Sequence, residues 1–303
     1  MKYNINEILS QSIMTKTPTV VVEGIDDVPV YDNLAEQLEG TFQILAVENI
    51  DGYSAGCDGV TSAMDYINGL SPSKFNYKKF IVGIIDKDIK DYRGEISSNG
   101  YIFPLKYYSM ESHFVCREIT NELIKFSTKT TSGMRGEVLE SYVYNKVISS
   151  LNLLYLISLE ALKGGIDRNY TAEVSFSSNV GRFKDPTLIS RIREKEELLL
   201  SFAHSLELSF SIESMRKFVK GKWLLEVFCI EIEKVIKTLS LECSNNEFDT
   251  CQFCISEAYD KCLYKIKDGI NHKVIKCHAM NFTNNSNFEY IKSKLNEMVS
   301  DAA

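Results

Sequence analysis

Apolar positions in the first third of the chain fall into two alternating patterns. Short β-branched runs alternate with stretches in which apolar residues recur every three or four positions. The run Val20-Val21-Val22 ends at Glu23-Gly24 and reads as a buried strand breaking into a tight loop. Behind it, Val28, Tyr31, Leu34, Ala35 and Leu38 recur at helical spacing, with Asp26 or Asp27 as cap and Pro29 tolerated in the first turn. A strand follows over 42–47, then a helix capped by Asp58 with Val60, Ala63, Met64, Ile67 and Leu70 on one face. The run 80–85 ends at Asp86-Lys87-Asp88, and a short strand over 101–105 closes the sheet with Glu111 just beyond it. Strands alternating with helices predict right-handed crossovers and a mostly parallel sheet.

After residue 116 the strand pattern stops. A helical stretch over 136–163 is expected to end at Gly164-Gly165, with a loop or short hairpin over 166–185. Further helices are expected over 187–203, 209–219, 222–241, 250–268 and 286–299. The fold class is therefore α/β: an N-terminal domain over 1–115 with a mostly parallel, Rossmann-like sheet, then a largely α-helical domain over 116–303.

Composition narrows the functional classes. The chain is 44% hydrophobic and 25% charged, as a globular protein is. It has no run of 18 apolar residues, and its start, MKYNINEILS, carries Glu7 without a long apolar core. An intracellular, cytoplasmic protein with no membrane partner is expected. Its eight cysteines are then expected as thiols rather than disulfides. Cys251-x-x-Cys254 reads as two buried thiols one helical turn apart. A structural zinc site needs four ligands, and Cys277-His278 offers a second pair only at awkward spacing. The net charge of −7 is unevenly placed: residues 1–115 hold 9 Lys/Arg against 16 Asp/Glu, and residues 116–303 hold 25 of each. No strongly basic footprint marks a dedicated nucleic-acid binder.

The excess acid coincides with the candidate chemistry. If the strands ending at Glu23 and Asp86 are neighbours, Glu23, Asp86 and Asp88 converge at the carboxyl edge of the sheet, where open α/β sheets build their sites. Carboxylates crowded there need a positive partner, and hard oxygen ligands suit Mg²⁺ or Mn²⁺. Asp27 and Glu111 are further candidate ligands. The plainer reading makes each of these acids a helix cap or a solvated strand end. Lys87 points either at phosphate or away from the pocket. Receiver domains also gather acids after their first and third strands, but Glu-Gly after the first strand and Asp-x-Asp after the third fit them poorly.

A Glu after the first strand and Asp-x-Asp after the third resembles the TOPRIM family. Glu23 matches the first element, and Asp86 and Asp88 match the second. The intervening strand over 42–47 and the glycine-bearing stretch Asp51-Gly52-Tyr53-Ser54-Ala55-Gly56 also fall in the expected places. The resemblance covers roughly residues 15–115. Within the family, the chain is most similar to the branch that includes AriB, the nuclease subunit of the PARIS anti-phage system. Shared features are the early EG-x-DD loop, the Tyr-rich segment Lys106-Tyr107-Tyr108-Ser109-Met110-Glu111, a helical second half and a Gly221-Lys222-Trp223 helix start.

That resemblance implies a Mg²⁺-dependent ribonuclease effector that cleaves host tRNA to stop translation and is toxic when free. It also implies restraint by an AriA-like ABC-type ATPase, release by a phage-encoded trigger and a possible homodimer once released. In that reading Glu23, Asp86 and Asp88 are catalytic. A DNA-cutting nuclease of the OLD type and a non-catalytic interaction subunit are the alternatives. A primase-like nucleotidyl transferase is disfavoured by the lack of an N-terminal zinc domain and of a basic half. Candidate RNA contacts are Arg168 with Tyr170, Arg182 with Lys184, Arg216 to Lys222, and His272 to Lys276, while His113 is a further candidate facing the acids.

Overall fold

The computed structural model describes residues 2–71 and 74–300. In chain order its elements are α1 (Ile5–Thr15), β1 (Thr19–Val22), α2 (Val28–Ala35), β2 (Gln43–Ala46), α3 (Cys57–Asn68), β3 (Ile81–Ile85), the single turn α4 (Lys90–Arg93) and β4 (Ile102–Pro104). Helices follow as α5 (Arg117–Ser127), α6 (Glu137–Ser149), α7 (Asn152–Ile166), α8 (Pro186–Glu194), α9 (Glu196–Ser205), α10 (Ile212–Phe218), α11 (Gly221–Ser244), the turn α12 (Gln252–Ile255), α13 (His272–Met280) and α14 (Glu289–Ser300). The chain forms two compact units: Met1–Met110 with Thr283–Ala303, and Glu111–Phe282.

The first unit is built on a four-stranded parallel sheet in the order β2-β1-β3-β4. Its β-branched strands β1 and β3 are buried along their whole length, as expected where helices cover both faces. Val21, Ile81 and Ile85 share one core with Ile5, Ile8 and Leu9 of α1 and Val60, Met64 and Ile67 of α3. Val20, Val22 and Ile84 are equally buried and alternate to the other face. Two features depart from the sequence reading. Helix α1, started by Asn4 accepting from the Asn6 N–H at 2.9 Å, precedes the first strand. The boundary expected at residue 115 falls at Met110, and the C-terminal helix expected in the helical domain belongs to the first unit. The reason is packing: Ile291, Leu295 and Met298 of α14 are buried, α14 lies against α2, and the Tyr290 hydroxyl accepts from the Lys106 N–H at 2.8 Å.

The second unit is all helical, centred on the 24-residue α11, against which α5, α6 and α13 pack. The stretch expected as one helix over 136–163 is two, α6 and α7, with a 45° bend between them. Gly164 and Gly165 do not end α7, which continues to Ile166. Gly164 instead gives close approach: a Cβ there would lie 2.4 Å from the Ala172 Cβ. The stretch 187–203 is also two helices, divided at Lys195, whose ammonium reaches the fully buried Glu160 at 2.9 Å. No long helix spans 250–268; only α12 and the 3₁₀ turn Tyr259–Lys261 lie there. Among the described residues no single helix is long and apolar enough to cross a membrane.

Candidate active site

Strands β1 and β3 are parallel neighbours, paired Thr19 to Ile81 and Val21 to Gly83, so their carboxyl ends deliver Glu23 and Asp86 side by side. Glu23 Oε1 accepts from the Asp86 N–H at 2.9 Å, and Asp86 Oδ1 accepts from the Met110 N–H at 3.1 Å. Asp88 sits in the left-handed region, at φ 48°, with its N–H donating to the Tyr108 carbonyl at 2.9 Å. Aspartate tolerates that conformation better than most side chains, yet it stores strain next to the acids. Gly24, in the loop after β1, has no positive φ.

Burial pushes the Glu23 carboxyl up to about 7, the Asp86 N–H and Lys90 pull it down, and the charges of Asp88 and Asp27 push it up again. Burial, together with the nearby Asp86, Asp27, Tyr290 and Glu23, likewise holds the Tyr31 hydroxyl well above its ordinary value. Burial and the charges of Asp88 and Asp86 do the same to Tyr108. Three sequence-expected acids and Asp27 therefore lie within electrostatic reach of one another.

The remaining candidates sort differently. Asp27 stands at the N-cap position of α2 but makes no side-chain cap; its carboxylate accepts from the Gly24 N–H at 3.1 Å and braces the loop. Asp58 is not a cap either, since Gly56 holds that position and Asp58 lies in the first turn of α3. Lys87 turns to Asp91 at 3.1 Å. Glu111 and the fully buried His113 lie in the 3₁₀ turn Met110–Phe114, whose residues from Glu111 onward belong to the second unit.

Two participants were not anticipated. Glu48 follows β2, the strand on the other side of β1; its Oε1 accepts from the Ile25 N–H at 3.3 Å, while its Oε2 is buried with no hydrogen-bond partner. Lys90, in α4, lies 2.5 Å from Asp58 Oδ1 and 3.3 Å from Cys57 Sγ, and its charge bears on Glu23. The signal for Glu48 is positional: an acid two residues past a strand that pairs with the strand carrying Glu23.

In the second unit, three basic clusters far apart in sequence meet in one cleft of about 390 Å³. Lys184, Lys220, Lys222, His272 and Lys276 line it together with Trp223. The cleft lies at the N-terminus of α11, where unpaired N–H groups and the helix dipole favour an anion. Lys276 pairs with Glu226 at 2.7 Å and Lys220 donates to the Phe176 carbonyl at 2.6 Å. Lys184 and Lys222 make no ion pair among the described residues. Tyr170 and Arg216 are removed as candidate RNA contacts: the first donates to Glu160 at 2.5 Å, and the second is buried against Glu213 at 2.6 Å.

Cys251 and Cys254 are buried thiols one turn apart, as expected, although the turn is the short α12 rather than part of a long helix, and Cys277 is exposed on α13. Cys243 and Cys262 join the pair instead, so that all four sulfurs lie within 4.8 Å of one another. Among the described residues this is the one group of three or more potential metal ligands gathered so closely.

A scan of protein-family models finds none that matches the chain, and a search of curated proteins finds no match either.

Proposed function

We propose that the chain is a metal-dependent nuclease whose first unit is a TOPRIM-type catalytic domain and whose substrate is RNA, with tRNA the specific target. The observation that carries this reading is Glu23 hydrogen-bonded to Asp86 at the carboxyl ends of adjacent parallel strands, with Asp88 and Asp27 bearing on it. An acidic pocket of this kind needs a cation, and the orphaned Glu48 Oε2 beside it lacks a partner that a hydrated ion would supply. The donor set is all oxygen, which suits Mg²⁺ or Mn²⁺. Mg²⁺ keeps several waters and takes few carboxylates, so the site need not supply a full ligand cage.

Asp86 and Asp88 would hold the ion, with Glu23 and Asp27 close by; Glu111 remains a candidate from sequence only. The ion would supply Lewis-acid polarisation of a phosphoryl oxygen. The chain's own contribution is proton handling and placement. A Glu23 carboxyl near 7 can both give and take a proton at neutral pH, which suits a general acid or base in phosphodiester cleavage. Asp88 is fixed by its backbone, and Lys90 offers positive charge at the rim.

Choice of RNA rests on the AriB-like sequence features and on the cleft at the start of α11. Lysines there without acidic partners fit the phosphates of unpaired RNA. From the same resemblance come the proposed partners: an AriA-like ABC-type ATPase that restrains the nuclease, and a phage-encoded trigger that releases it, after which a homodimer would act.

The test is expression of wild type, Glu23→Ala and Asp86→Asn/Asp88→Asn at matched soluble levels, with growth and small-RNA sequencing as readouts. Wild type is expected to arrest growth and cut tRNA, and both variants to lose at least about 100-fold of the Mg²⁺-dependent cleavage. Equal toxicity of all three forms would refute the assignment. Cleavage of DNA with tRNA left whole would replace it by an OLD-type nuclease. Absence of cleavage by the purified protein with Mg²⁺ or Mn²⁺, together with stable binding to an ATPase, would leave the interaction-subunit reading.

A further inference from the structure

Residues 245–271 link α11 to α13 with only one helical turn and one 3₁₀ turn. Connections this long without regular structure are uncommon in compact units unless something fastens them. Aromatic contacts hold part of this one: the Phe248 and Tyr264 ring centroids lie 4.7 Å apart, and the Tyr264 hydroxyl donates to the Asp249 carbonyl at 2.8 Å. The rest converges on sulfur. Cys243 lies in the last turn of α11, Cys251 stands at the N-cap of α12, Cys254 lies within it, and Cys262 follows the 3₁₀ turn. All four are at most 6% exposed.

The spacing is C-x₇-C-x₂-C-x₇-C, a central Cys-x-x-Cys of the kind structural zinc sites use, flanked symmetrically. Four sulfurs around zinc at about 2.3 Å form a tetrahedron with edges of about 3.8 Å. The Cys251 and Cys262 sulfurs lie 3.8 Å apart, and no pair in the set exceeds 4.8 Å. That separation is nearly twice the roughly 2.05 Å of a disulfide. Backbone N–H groups already point at the sulfurs, as thiolate ligands require. The Cys251 N–H donates to Cys243 Sγ at 3.3 Å, and the N–H groups of Cys254 and Leu263 donate to Cys251 Sγ.

We propose that Cys243, Cys251, Cys254 and Cys262 bind a structural zinc ion that clamps the 245–271 segment to the end of α11. Burial of all four ligands leaves no open coordination position, which separates this site from a catalytic one. Binding exchanges thiol protons, released to solvent, for Zn–S bonds, with no change in oxidation state. A tetrahedral set of four thiolates also suits iron, but zinc binds such sites more tightly than Fe²⁺. The proposal is independent of the nuclease reading, since it concerns different residues and no catalysis.

The experiment is elemental analysis of the full chain, purified without metal resin or added metal. About one zinc per chain is expected. In native protein, a thiol reagent should find Cys277 quickly and the four clustered cysteines only after a chelator strips the ion. Cys251→Ser/Cys254→Ser should lose the zinc, and Cys277→Ser should keep it. Should the double variant be insoluble, wild type reconstituted with Co²⁺ gives the same information through thiolate-to-cobalt charge-transfer and tetrahedral d–d bands. Zinc near zero with no cobalt spectrum overturns the proposal, and so does stoichiometric iron in place of zinc.

Discussion

Glu23 leaves a buried strand at a point where water reaches its charge poorly and two further acids face it. Its carboxyl is therefore held at about 7 in the fold, above the ordinary 4.5 that it regains when the chain unfolds. Between those values the folded state binds more protons than the unfolded one. This contribution to stability is thus complete below about pH 4.5 and is lost as pH rises through about 7. In metal-free buffer, wild type is expected to lose on the order of 2 kcal/mol between about pH 5 and about pH 7.5 relative to Glu23→Gln, whose stability should lack this component. Thermal melts of both forms with a chelator measure it. Identical pH profiles would show that neither burial nor the neighbouring acids raise the Glu23 carboxyl. Adding Mg²⁺ at the upper pH should restore wild type more than the variant, because only the wild-type site presents the full negative charge.

At the scale of elements, the acid pocket depends on how closely α3 lies on β3. Gly83, in the middle of β3, makes that approach possible: a Cβ there would lie 2.6 Å from Val60 Cγ1 and 2.7 Å from Met64 Cγ. Overpacking of this kind typically costs about 1–3 kcal/mol. Gly83→Ala is expected to lower the urea unfolding free energy by about 2 kcal/mol, and adding Met64→Ala should recover part of the loss, a non-additivity that a double-mutant cycle detects. Simple additivity of the two changes would mean that α3 shifts instead of colliding. Element scale is also where sequence reading lost accuracy. The strands were legible because β-branched runs bounded by Gly and Asp have few other readings. Helix ends in the second unit were not, because Gly164 and Lys195 serve tertiary partners, Ala172 and Glu160, rather than local stop signals.

For the whole molecule, a net charge of −7 means that the proposed RNA binding needs a local positive field. In that proposal the field comes from the α11 cleft, where Lys184 and Lys222 carry no paired acid among the described residues. Lys184→Glu/Lys222→Glu is expected to weaken binding of a short single-stranded RNA at least about 10-fold at low salt. It should also make the salt dependence shallower by about one to two, since each lost phosphate contact removes about 0.7 from the slope for single strands. Anisotropy titrations across a salt series read both quantities. Unchanged affinity and slope would rule out the α11 cleft as the proposed RNA-binding surface.

The sequence by itself determined the parallel sheet, the strand ends and the acids Glu23, Asp86 and Asp88, because a strand's burial pattern and the break after it are local properties. It also contained the three basic clusters, without their convergence. Tertiary structure decided what depends on residues distant in the chain. Glu48 counts because β2 pairs with β1. The C-terminal helix belongs to the first unit because its buried apolar residues Ile291, Leu295 and Met298 lie on a helix that packs against α2 and the Tyr77–Lys79 turn. The four cysteines form one set because the segment between α11 and α13 folds back on itself. A Cys-x-x-Cys read along the chain offers two ligands, and only the path of the backbone in space supplies the other two.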